Sequence, residues 1–89
     1  MRAIVTVIGK DRVGIIADVT ALLAQYGVNV LDISQTVMND YFTMMMVVDT
    51  ERCTQPFDTL SAALADYGQN RGLSVRIQRE DIFNAMHKI

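Results

Sequence analysis

The residues best placed to do chemistry lie together at Ile8-Gly9-Lys10-Asp11-Arg12-Val13-Gly14-Ile15, where an apolar β-branched run gives way to a helical repeat. The first N–H groups of a helix have no partner within it and together carry about half a positive charge. A ligand carboxylate can accept from the N–H groups of Val13, Gly14 and Ile15, and Gly14 lets it approach the backbone closely. Asp11 and Arg12 sit in the same turn. Asn29, at the start of the next extended segment, adds a donor and an acceptor, which suits a zwitterion. Each residue also has a plainer role. Asp11 can serve only as a helix cap, Gly14 as a close helix–sheet contact, and Asn29 as a turn residue.

Other reactive types are sparse. Cys53 has no second cysteine to form a CxxC pair, and His87 is the single histidine, on the polar side of the tail. Consecutive methionines 44–46 cannot share one strand face, so they read as adaptable packing rather than a metal cluster. Asp32, Asp49 and Asp58 lack the spacing of a calcium loop. No Ser-His-Asp or Cys-His set assembles, so no catalytic residue, metal site or cofactor is expected.

The elements that must position the turn follow from periodicity. Residues 2–8 are apolar on both alternating sets, the pattern of a strand covered on two faces. Ile15, Ile16, Val19, Leu22, Leu23 and Tyr26 recur at helical spacing, and Gly27 marks a stop. Residues 28–37 read as a strand with Leu31, Ile33 and Val37 on one face and Asp32, Ser34 and Thr36 on the other. Asn39-Asp40 marks a hairpin turn, and 42–49 is a third strand, apolar on both faces. Thr54 is positioned to cap a second helix with Pro56 in its first turn. That helix carries the stripe Phe57, Leu60, Leu64 and Tyr67 and ends at Gly72. Residues 73–79 alternate as a fourth strand. In the tail, 80–89, Ile82, Phe83, Met86 and Ile89 share a helical face, predicted to pack on the sheet or across a dimer.

Strands one and three, apolar on both faces, belong in the centre, and two and four at the edges. With right-handed crossovers this gives a ferredoxin-like α/β (α+β) sandwich, βαββαβ, with a four-stranded antiparallel sheet in order 2-3-1-4 and a short C-terminal helix. The 89 residues read as one domain, with a core over 1–79 and the helix over 80–89. Hydrophobic residues make up 51% of the chain, more than one small core absorbs, so a homodimer is expected.

Eight basic residues against ten acidic ones give a net charge of −2, and no basic cluster supports nucleic-acid binding. The longest apolar run, Met44 to Val48, is far short of the ~20 residues of a membrane span. With a lone cysteine and no signal-peptide pattern, a cytoplasmic protein without membrane partners is expected.

Lys10-Asp11-Arg12-Val13-Gly14-Ile15-Ile16-Ala17-Asp18-Val19, followed by Tyr26-Gly27-Val28-Asn29-Val30, resembles the signature of the ACT domain family. There a D-R-P-G-(I/V/L) turn opens the first helix and a G-V-N-I segment opens the second strand. The resemblance runs over the whole chain, and residues 75–87 are similar to the tail of small stand-alone bacterial ACT proteins. It implies a dimeric, amino-acid-responsive regulatory module with ligands at subunit interfaces near the turn. Asp11 and Gly14 would lie at the ligand turn and Asn29 beside it. Val13 stands where the family usually has proline, which leaves the turn less rigid.

The expected function is therefore a stand-alone homodimeric binding module for an amino acid or similar small molecule, reporting to a regulatory protein partner. The alternative is a structural or partner-binding dimer without a small ligand. An acylphosphatase-type enzyme is disfavoured because Asp11 would repel phosphate. An RNA-binding sheet is disfavoured because strand one has no aromatic residue on which bases could stack.

Overall fold

The computed structural model describes residues 1–10 and 14–86. Seven elements follow in order: β1 (Arg2–Gly9), α1 (Ile15–Gln25), β2 (Asn29–Met38), β3 (Tyr41–Asp49), α2 (Phe57–Arg71), β4 (Ser74–Arg79) and α3 (Glu80–Met86). The strands form one antiparallel sheet in order β2-β3-β1-β4. This is the βαββαβ sandwich with a C-terminal helix that the periodicity predicts.

Alternation decides which side of each strand is dry. Ala3, Val5 and Val7 of β1 are fully buried, as are Met44, Met46 and Val48 of β3. They form one core with Ile15, Val19 and Leu23 of α1, Leu60 and Leu64 of α2, and Val75 and Ile77 of β4. Both helices therefore cover the same side of the sheet. The opposite side carries Ile4, Thr6 and Ile8 of β1, and Met45 is the methionine of the triplet that faces it, 38% exposed.

Four details depart from the sequence reading. Pro56, not Thr54, occupies the capping position of α2. Thr54 is drawn away because its N–H and hydroxyl both donate to the Tyr26 carbonyl, at 2.9 and 3.4 Å. A bulge falls between Val30 and Asp32, so Leu31 is an extra residue and is exposed. Past the bulge Ile33 and Val37 share the helix-side face with Met46 and Phe42, yet they are 37% and 52% exposed, because β2 lies at the margin of the helical layer. Of the apolar tail residues Ile82, Phe83 and Met86 in α3, Phe83 is the half-buried one. Ile82 and Met86 remain exposed, and Ile89 lies outside the described residues.

Candidate functional site

Of the six residues expected at the ligand site, Asp11, Arg12 and Val13 lie outside the described residues. Gly14 holds the capping position of α1 with φ 74° and ψ −1°. A side chain in this left-handed region is strained, so the position favours glycine. A Cβ built there would meet no atom of the described residues within 4 Å. The close helix–sheet contact considered from sequence is therefore not what Gly14 does. It turns the chain into the helix. Its carbonyl accepts the Asp18 N–H at 2.9 Å, closing the first turn.

Ile15 is fully buried. Its side chain anchors the helix start in the core, so only its backbone can serve a ligand. Before the turn, Gly9 pairs with Phe42 at the end of β1, and the Lys10 ammonium lies 5.7 Å from the centre of the Tyr41 ring. That contact ties the strand end to the β2–β3 hairpin.

Asn29 is elsewhere. It is exposed and pairs with Asp49, at the end of β3 opposite to Phe42. The distance along the strand is roughly 24 Å at about 3.4 Å per residue. Within one chain the structure does not bring Asn29 to the turn. Asn29 instead lines a polar cavity of ≈560 Å³ with Gly27, Asp49, Glu51 and Arg52. Strand direction places Gly14 and Asn29 at opposite ends of the sheet.

Sequence reasoning missed a polar cluster joining the two long helices. The Tyr67 hydroxyl donates to Asp18 at 2.9 Å, and Arg71 Nη1 donates to the same carboxylate oxygen at 2.6 Å. Burial, then the hydrogen bond and charge of Asp18, raise the Tyr67 pKa, with Arg71 opposing. The Tyr67 and Arg71 spacing of four residues was a legible half of this signal. Asp18, 49 residues away in sequence, was not. The arrangement ties α1 to α2. Among the described residues no group of three or more His, Cys, Asp or Glu side chains is set to hold a metal ion. The Cys53 thiol donates to the Gln55 carbonyl at 3.3 Å.

Comparison with known proteins matches residues 2–78 to the family described as the ACT domain. A UPF0237 protein of Listeria monocytogenes is 53% identical, over the whole of both chains. The solved structure of an ACT domain protein from Streptococcus pneumoniae superposes with a TM-score of 0.82 at 45% identity, covering 98% of each chain. The ligand-free regulatory subunit of aspartate kinase from Thermus thermophilus superposes at 0.65 with 25% identity, covering 86% of this chain and 50% of that one.

Proposed function

The chain belongs to the ACT domain family, whose members are regulatory modules for small ligands, and from that premise we propose that it is a stand-alone homodimeric sensor of an amino acid. The observation that carries this reading is Gly14: a left-handed residue at the start of an 11-residue helix, with no described residue where a side chain would stand. The backbone N–H groups at that start suit the ligand carboxylate. Asp11 suits the ammonium, and Asn29 supplies a further amide.

The separation of Asn29 from the turn favours two copies over one. β2 is an edge strand, and a second β2 can pair with it antiparallel about a two-fold axis. Such pairing sets the Asn29 end of one copy beside the Met38 end of the other. The β1–α1 turn lies at that second end, because Gly9 pairs with Phe42 and Phe42 with Val37. Each ligand would then sit between the turn of one copy and Asn29 of the other. The exposed Val37, Met38 and Tyr41 at this end give the pairing an apolar component. We place the protein in the cytoplasm on the strength of its single free cysteine, with a regulatory protein partner reading the ligand state.

The test is thermal unfolding of the full chain against each of the twenty amino acids, with light scattering in parallel. A specific ligand raises the melting temperature in line with RT ln(1 + [L]/Kd). A stable dimer that no amino acid stabilises would establish instead a dimerisation module without a small ligand.

A further inference from the structure

The sheet face turned away from α1 and α2 is not flat. α3 rises from one end of it, tethered by the Gln78 amide nitrogen donating to the Met86 sulfur at 3.5 Å. In the step between helix and sheet lies a cavity of about 390 Å³, within the size range of small-molecule sites. Its apolar surface comes from Ile8 and Met45 on the floor and Phe83 and Met86 on the helix wall. Ile8 and Met45 are 45% and 38% exposed, so apolar area remains for a ligand to cover.

The polar lining is selective. Among the described residues Arg76 is the one charged side chain lining the cavity, in a protein whose net charge is −2. No described residue forms a hydrogen bond or ion pair with it. Its neighbours are neutral: Thr6 is its register partner on β1, and Ser74 and Gln78 flank it on the same face of β4. A guanidinium without a partner, beside hydroxyls and an amide, recognises a carboxylate through two parallel charge-assisted hydrogen bonds. An ammonium group would find no carboxylate among the described residues of this lining and would lose hydration without return.

We propose that this cavity is a second binding site, for an apolar monocarboxylate with an aryl or branched-alkyl body and no amino group. Arg76 takes the carboxylate, and Ile8, Met45, Phe83 and Met86 take the body. The site is independent of the amino-acid reading of the β1–α1 turn: the two rest on different residues and discriminate oppositely on the ammonium.

The experiment is amide NMR and calorimetry on the full chain with three probes: 3-phenylpropionate, its neutral amide, and phenylalanine. Expected is saturable binding of 3-phenylpropionate that shifts the amides of Thr6, Ile8, Ser74 and Arg76. The neutral amide should bind about tenfold more weakly or less, and Arg76→Gln should weaken 3-phenylpropionate binding by a similar factor. Arg76→Lys should restore part of that loss. Phenylalanine should shift this set less than 3-phenylpropionate does at equal concentration. Because Arg76 is exposed, Arg76→Gln should melt as wild type does, so a lost affinity is not a lost fold. The proposal is overturned by an absence of binding up to ~10 mM, by unchanged affinity in Arg76→Gln, or by equal binding of the neutral amide. It is equally overturned if these amides shift with protein concentration rather than with probe, which would assign the face to a second copy of the chain.

Discussion

The Tyr67 hydroxyl and the Asp18 carboxylate meet at 2.9 Å, joining the middle of α2 to the first turn of α1 across 49 residues of sequence. Arg71 closes the group by donating to both, at 2.6 Å to Asp18 and 3.2 Å to the Tyr67 oxygen. The two helices touch the sheet through separate stripes, so this group fixes their spacing at the solvent side. Its ion pair is more than a third exposed at Asp18, so water screens it and its share of the stability is modest.

Tyr67→Phe removes the bond and leaves the ring. It should cost about 1 kcal/mol in urea unfolding at neutral pH. The pH dependence has a definite sign. The folded state raises the Tyr67 pKa above its ordinary value of 10.0, so folding favours the neutral phenol. That contribution is full below pH 10 and is lost as pH rises through the folded value. Wild type should therefore lose stability above about pH 10 more steeply than Tyr67→Phe, and parallel curves would show the bond to be inconsequential.

Two glycines with nearly the same backbone angle should respond differently to alanine. Gly14 and Gly27 have φ of 74° and 76°. A Cβ on Gly14 meets none of the described residues, whereas one on Gly27 would lie 2.6 Å from the Arg52 carbonyl oxygen. Gly14→Ala should cost about 1 kcal/mol, the backbone strain alone. Gly27→Ala adds a clash with backbone and should cost roughly 2–4 kcal/mol. Equal losses in thermal unfolding would mean that the loop around Arg52 moves freely aside.

Removing residues 81–89 should destabilise the chain by only about 1–2 kcal/mol, since Phe83 is half-buried while Ile82 and Met86 stay exposed. The helix shields the open face near Ile4, which is 8% exposed although it points away from the core helices. Truncation should therefore also increase binding of a hydrophobic dye. A loss of several kcal/mol would mean that the tail packs more deeply than Phe83 alone accounts for.

Much of the architecture was legible because the controlling signals are local. The alternation of Ala3, Val5 and Val7 against Ile4 and Ile8, the stripe Leu60 and Leu64, and the stop at Gly72 each follow from a period or a single residue's backbone preference. What stayed hidden depends on distant partners. Thr54 has the chemistry of a cap, but the Tyr26 carbonyl competes for it. The bulge at Leu31 leaves no mark in the residue pattern, because Leu fits a regular strand equally well. For the site, Gly14 was visible as a turn residue. The right-handed crossover between parallel β1 and β2 already requires α1 to carry the chain back along the sheet, which sets Asn29 some 24 Å from that turn; reading the two motifs residue by residue passed over this.

This separation gives the two-copy site its sharpest test. If each ligand contacts Asp11 of one copy and Asn29 of the other, Asp11→Ala and Asn29→Ala should each abolish or weaken binding as homodimers. Asn29→Ala should cost about 1–3 kcal/mol of affinity, because a buried ligand group is left unpaired. Both should melt near wild type without ligand: Asn29 is exposed, and Gly14, not Asp11, holds the capping position of α1. Mixing the two variants in equal amounts and allowing subunits to exchange makes half of the dimers mixed. In a mixed dimer one site receives wild-type Asp11 from the Asn29→Ala copy and wild-type Asn29 from the Asp11→Ala copy. The other site receives both substitutions. Calorimetry should then recover wild-type affinity at roughly a quarter of wild-type capacity. A site built within one chain gives no recovery at any mixing ratio, since every copy carries a defect. Full activity of both variants alone would remove Asp11 and Asn29 from the site altogether.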